Sequence, residues 1–119
     1  MIFKEIFESL EKKLDGLEGA VVIDDDGIAL DTYTKEGSSV DIENVGVEAA
    51  AISKSLKRFS ESLNVGVPEE FFFKTDKYCL LVRFISEQLT YCAVMDINQS
   101  VGKGRFFLKT TSWEMAKKI

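Results

Sequence analysis

Two apolar stretches, Tyr78–Ile85 and Thr90–Asp96, leave the chain little choice of architecture. In the first, Tyr78, Leu80, Val82 and Phe84 alternate with Cys79, Leu81 and Ile85. In the second, Tyr91, Ala93 and Met95 alternate with Cys92 and Val94. A strand that is apolar on both faces must be covered on both faces. The link "SEQL" is too short for a crossover, so the two strands pair antiparallel. "GAVVID", residues 19–24, is a third run with two apolar faces and predicts another interior strand.

Three interior strands require two edges. Residues 28–33, "IALDTY", carry Ile28 and Leu30 on one side and Ala29, Asp31 and Tyr33 on the other, a one-faced pattern suited to an edge. Residues 69–75, "EEFFFKT", have charged flanks and form the second edge. With hairpin partners adjacent, the strand order is 2-1-5-4-3, and the first and fifth strands pair at the centre.

Helical spacing fills the gaps. Phe3, Phe7, Leu10 and Leu14, with Ile6 beside them, recur at steps of four, three and four. From about Glu43 to Leu63 a long helix carries the apolar stripe Val45, Ala49, Ile52, Leu56, Phe59 and Leu63. Asp41 is placed to cap it. Beside that stripe runs a second one of small residues, Gly46, Ala50 and Ser53. Residues 99–119 predict a last helix, with Val101, Leu108, Met115 and Ile119 on one face and Phe106 and Trp113 extending it. The element order is αββαβββα, an α+β fold with a five-stranded antiparallel sheet, in one domain over residues 1–119.

The acid-rich stretch "IDDDGIALD" invites a metal reading through Asp24, Asp25, Asp26 and Asp31. Hard cations take oxygen ligands, but a helix-loop-helix calcium loop spreads them over twelve residues and ends on glutamate. This spacing does not fit, and Asp25-Asp26-Gly27 reads as the three-residue turn of a hairpin, with glycine supplying the left-handed position. "GKGR" at Gly102–Arg105 fails as a phosphate loop: position 97 is isoleucine and position 104 glycine, where the motif needs glycine and serine or threonine. The chain has no histidine, which removes the commonest general base and zinc ligand. The expectation is a non-enzyme with no catalytic, cofactor or metal residues. With Ile85 facing Thr90 across the turn, Cys92 faces Arg83 and Cys79 faces Asp96, so the two cysteines are expected on one face of the sheet, some four residues apart along it. That is too far to bridge, so both should be reduced.

Net charge is −5, unevenly spread. Residues 1–50 hold 4 basic and 13 acidic residues, whereas residues 51–119 hold 11 and 7. This balance disfavours nucleic acid, which calls for a basic stripe with little acid nearby. No apolar run reaches the roughly 18 residues of a membrane span. The first residues alternate acids with apolar positions, unlike a signal peptide, so a cytoplasmic location is expected.

The strongest functional signals are apolar. Phe71, Phe72 and Phe73 on an edge strand invite pairing with another chain. The small stripe Gly46, Ala50 and Ser53 admits close approach of a helix, either a partner's or the chain's own sheet. Together they predict a self-complementary surface and a two-fold homodimer. Lys54, Lys57 and Arg58 on the exposed arc of the long helix are candidates for contact with a partner's acidic surface, against the plainer reading of a solvated face.

The pieces "LEGAVVIDDDGIAL", "VGVEAAAISKSLKRF" and "EEFFFKTDKYCLLVRFISEQLTYCAVM" resemble the Roadblock/dynein-light-chain family over nearly the whole chain, in particular its prokaryotic branch. That resemblance implies a profilin- or longin-like sheet with the long helix on one face and the terminal helices on the other. It implies a homodimer or heterodimer built from the long helix and the third strand, and binding of a small Ras-like GTPase as regulator or scaffold. The rival reading is a small-molecule sensor of the PAS or GAF type, which shares the strand order and holds its ligand between sheet and helices.

Overall fold

The hairpin that carries the acids is built by its backbone. In the computed structural model, which describes residues 2–119, strand β1 (Leu17–Ile23) turns into β2 (Ala29–Thr34) through residues 24–28. The Asp24 carboxylate accepts the N–H groups of Asp26 (2.9 Å) and Ile28 (3.0 Å). Gly27 takes φ +81°, a conformation that costs side-chain-bearing residues free energy. The expected hairpin turn is therefore present.

Eight elements follow the expected order: α1 (Lys4–Lys13), β1, β2, α2 (Ile42–Leu63), β3 (Glu70–Lys74), β4 (Tyr78–Phe84), β5 (Thr90–Asp96) and α3 (Val101–Ala116). The sheet runs β2-β1-β5-β4-β3 with every neighbouring pair antiparallel. As expected, Asp41 caps α2, its carboxylate accepting the Asn44 N–H at 3.3 Å. The helix closes at Asn64, whose N–H donates to the Glu61 carbonyl; its left-handed φ of 55° lets the next N–H, that of Val65, reach back to the Ser60 carbonyl.

Two cores flank the sheet. Phe3, Phe7, Leu10 and Leu14 from the α1 region meet Leu108 and Met115 of α3 over Ala20, Val22, Cys79, Leu81, Tyr91, Ala93 and Met95. On the opposite face, α2 covers Val21, Ile23, Cys92 and Val94 with Ile42, Ala49 and Ala50. Each large apolar side chain so buried contributes roughly 1.5–3 kcal/mol. The distribution of helices, one against two, is as the resemblance implied.

The β4–β5 ladder differs from expectation by one residue. Phe84, not Ile85, stands opposite Thr90, because Ile85 and Leu89 close the turn by a 2.9 Å backbone hydrogen bond. A one-residue slip moves a side chain's cross-strand partner to its neighbour. Cys92 then faces Val82 and Cys79 faces Met95. The thiols lie in opposite cores rather than on one face, and both are free.

The last helix also differs. Ser100 caps it, accepting the Lys103 N–H at 3.2 Å. Gly104, Leu108, Thr111, Ser112 and Met115 form its buried face. Phe106 and Trp113 were expected to extend that face and instead point outward, 58% and 55% exposed. At 100° per residue they fall nearly opposite the line through Gly104, Leu108 and Met115.

Candidate functional site

α2 packs on β1, β2 and β5 and leaves the β3–β4 margin of its face bare. Strand alternation places Phe71 and Phe73 on this side, beside their cross-strand partners Val82 and Leu80. Between these residues and Val45, Ala49 and Ile52 of α2 lies an open apolar groove of about 230 Å³. The Phe71 and Phe84 rings meet at 6.3 Å across the ladder at the end of this margin.

Beyond the groove the sheet simply stops. β3 is bonded to β4 on one side and, among the described residues, to no strand on the other. Phe72 and Phe73 are each 42% exposed, on opposite faces of that edge, while Phe71 is half-buried. Phe72 is not left loose: the Arg105 guanidinium of α3 lies over its ring at 5.2 Å. Arg105 Nε donates to Glu70 Oε1 at 2.6 Å, and Arg83 Nη1 donates to Glu70 Oε2 at 3.2 Å. These bonds hold the Glu70 carboxyl below the ordinary carboxylate range; the hydrogen bond from Arg105 is the main cause. The edge strand is thus fixed from one face and open along its rim.

The small stripe requires a correction. Gly46, Ala50 and Ser53 are buried against the chain's own sheet. A Cβ on Gly46 would stand 2.8 Å from Ile23 Cγ2, so the glycine is what lets helix and sheet approach. These three residues are therefore not open to a second chain. The surface of α2 that is open lies about 120° round the helix: Ile52, Phe59 and Leu63 are exposed, and Val45 and Leu56 half-buried. This arc borders the groove. Sequence periodicity contained the stripe but could not say that the smaller residues, rather than the larger, face inward.

Lys54, Lys57 and Arg58 are not equally open. Lys54 and Arg58 are exposed on the flank of α2 away from the apolar arc. Lys57 is half-buried: its Nζ lies 4.9 Å over the Phe84 ring and donates to the Glu87 carbonyl at 3.2 Å.

The acidic residues are likewise dispersed. Asp31 is buried, accepting the N–H of Phe3 at 2.8 Å and of Thr32 at 2.9 Å, and Asp24 is used by the turn. Among the described residues, no group of three or more His, Cys, Asp or Glu could hold a metal ion. A larger hollow, about 730 Å³, opens to solvent beneath the C-terminal end of α2, between the Gly66–Glu69 link and the β4–β5 turn. Its walls include Ser60 and Glu61 of α2 and Arg83 and Phe84 of β4, so it is an open hollow at the end of these layers, whereas a sensor domain would enclose its ligand between them.

No protein-family model matches the chain, and no curated protein does. Solved structures do. The gliding protein MglB of Thermus thermophilus superposes with TM-score 0.87 at 17% identity, covering 98% of this chain and 87% of that one. MglC of Myxococcus xanthus matches end to end, 100% of each chain, at 25% identity and TM-score 0.71. A Roadblock/LC7 domain of Streptomyces avermitilis gives TM-score 0.82 at 10% identity, over 93% and 92%. Structural neighbours of the chain thus include MglB and Roadblock/LC7 domains, and it shares their fold.

Proposed function

We propose that this chain is a dimeric, non-catalytic binding module that scaffolds or regulates a small Ras-like GTPase. One observation carries the dimer: an unpaired strand edge lies directly beside an uncovered apolar groove and an exposed apolar arc of α2. Exposed edges bearing aromatics are aggregation hazards unless something closes them. A two-fold axis normal to the sheet would pair β3 with the β3 of a second copy, antiparallel, and leave both copies the same way up. The two α2 helices would then meet over the joint, with Ile52, Phe59 and Leu63 of each filling the other's groove. Such an interface is isologous and closes at two subunits.

The GTPase part of the reading rests on the shared fold and on the family resemblance in the sequence. In the dimer, Lys54 and Arg58 lie on the outer flanks of the joined helices, open to an acidic partner surface. The test has two arms. Sedimentation equilibrium at micromolar concentration should show a dimer that Phe73→Glu dissociates. Immobilised dimer should then retain a Ras-like GTPase from its native lysate, and Lys54→Glu with Arg58→Glu should weaken the retention. A wild-type monomer would end the dimer reading, and a dimer that retains no GTPase would end the partner reading.

A further inference from the structure

The outer ridge of α3 lies on the opposite face of the sheet from the groove and is open to solvent. Phe106 and Trp113 are seven residues apart, so they align along the helix at roughly 10 Å spacing. Both are more than half exposed. Exposed Lys103, Lys109 and Lys117 surround them, with Lys118 at the end. Lys109 Nζ sits 5.4 Å over the Trp113 ring, so cation and indole occupy one site. At the side, the Phe106 and Phe107 rings meet edge-on at 5.3 Å, and Lys13 of α1 lies 5.3 Å over Phe107. Residues 101–119 hold five basic residues and one acidic, Glu114, in a chain whose net charge is −5. Acids also face this helix: Glu114 and Glu5 of α1 share a hollow with Lys117 and Lys118, and Glu70 pairs with Arg105, so the free cations are the lysines.

We propose that this ridge docks onto an anionic lipid surface, with Phe106 and Trp113 entering the interface and the lysines meeting the headgroups. Aromatic residues flanked by cations on one face of a helix are the chemistry of interfacial binding. Chemistry favours a membrane over a folded partner: two exposed aromatics stand in line among lysines on one helix face, and a bilayer needs no complementary pocket. The proposed dimer strengthens the case, because a two-fold axis normal to the sheet places both α3 ridges on one side. Two ridges on one plane bind with avidity, and the α2 face stays free for a protein. Only this gain rests on the dimer; a single ridge carries the site.

The chain's one tryptophan is Trp113 itself, so its fluorescence reports the event directly. Titration with vesicles of phosphatidylglycerol and phosphatidylcholine should shift its emission to the blue and bring the protein down with the lipid. Pure phosphatidylcholine should do neither, and raising the salt should reverse the binding. Each cation removed near the surface costs about fivefold in affinity. Lys103→Gln, Lys109→Gln and Lys117→Gln together should therefore lower it on the order of a hundredfold, with unchanged circular dichroism. Phe106→Ser should weaken binding while leaving Trp113 to report it. Phe73→Glu should keep the blue shift and lose only the avidity, which separates failure of this site from failure of the dimer. No blue shift with anionic vesicles, or equal binding by the triple variant, would overturn the proposal and leave the ridge as a contact for an acidic protein.

Discussion

The Phe3 main-chain N–H donates to the carboxylate of Asp31 at 2.8 Å, across 28 residues of sequence and out of reach of solvent. This bond ties the start of α1 to the edge strand β2 and lets Phe3 and Phe7 enter the core, their rings edge-on at 6.3 Å. A buried donor whose acceptor is removed costs about 1–3 kcal/mol. Asp31→Ala should lower the unfolding free energy by that order in urea titration. Hydrogen exchange should show α1 opening before the sheet, since its anchor is lost while the strand ladders stay whole.

The two stripes of α2 separate stability from association. Ile52→Glu places a charge on the exposed arc beside the groove, where the single subunit loses little. Central apolar anchors of an interface typically cost about 2 kcal/mol or more when removed, so dimer dissociation should rise on the order of thirtyfold or more. Gly46→Val reverses the pattern. Its side chain meets Ile23 at a distance no real Cβ adopts, and overpacking costs about 1–3 kcal/mol. Thermal unfolding should register Gly46→Val, and sedimentation should register Ile52→Glu.

This contrast shows what the sequence could and could not disclose. The sheet order was legible because Tyr78–Phe84 and Thr90–Asp96 have no polar face to offer water, so both must be interior. The turn at Gly27 was legible because local chemistry alone determines it. The inward side of α2 was not, because two adjacent arcs both satisfy helical spacing. Hydrophobicity ranks Ile52, Phe59 and Leu63 above Gly46, Ala50 and Ser53, yet close approach to Val21 and Ile23 selects the small residues. The large ones are left outside, where a second chain could bury them. Phe106 and Trp113 misled for the same reason: their apolarity suits an external surface as well as the core. The β4–β5 register turned on one backbone hydrogen bond between Ile85 and Leu89, which composition does not encode.

Both thiols should resist modification. Cys79 and Cys92 are 0% and 1% exposed, and burial pushes the Cys92 thiol up to about 12. Thiolate is the reactive form, so an aromatic disulfide reagent at neutral pH should label neither site until denaturant is added. The same shift has a sign in alkali. Unfolded thiol loses its proton near about 8.5, while the folded one keeps it to about 12. The folded state then binds more protons, so stability falls as pH rises through that window. Cys92→Ala should flatten the fall while lowering stability at neutral pH.

Glu70 gives the opposite slope in acid. Its carboxyl is held low by the Arg105 hydrogen bond and the neighbouring Arg83 charge. The contribution is complete above the ordinary carboxyl value of about 4.3. It is lost as pH falls through the lower folded value, where protonation breaks the bridge to both arginines. Because Glu70 begins β3, the loss should appear at the sheet margin first. In acid, exchange of the Phe71–Lys74 amides should quicken before that of β5, and dimer dissociation should rise with it. Glu70→Gln retains the shape and removes the charge, so it should abolish this acid dependence and leave the edge looser at neutral pH. An edge that behaves identically in both proteins across the acid range around the carboxyl value of about 4.3 would mean that Arg83 and Arg105 do not hold it in solution.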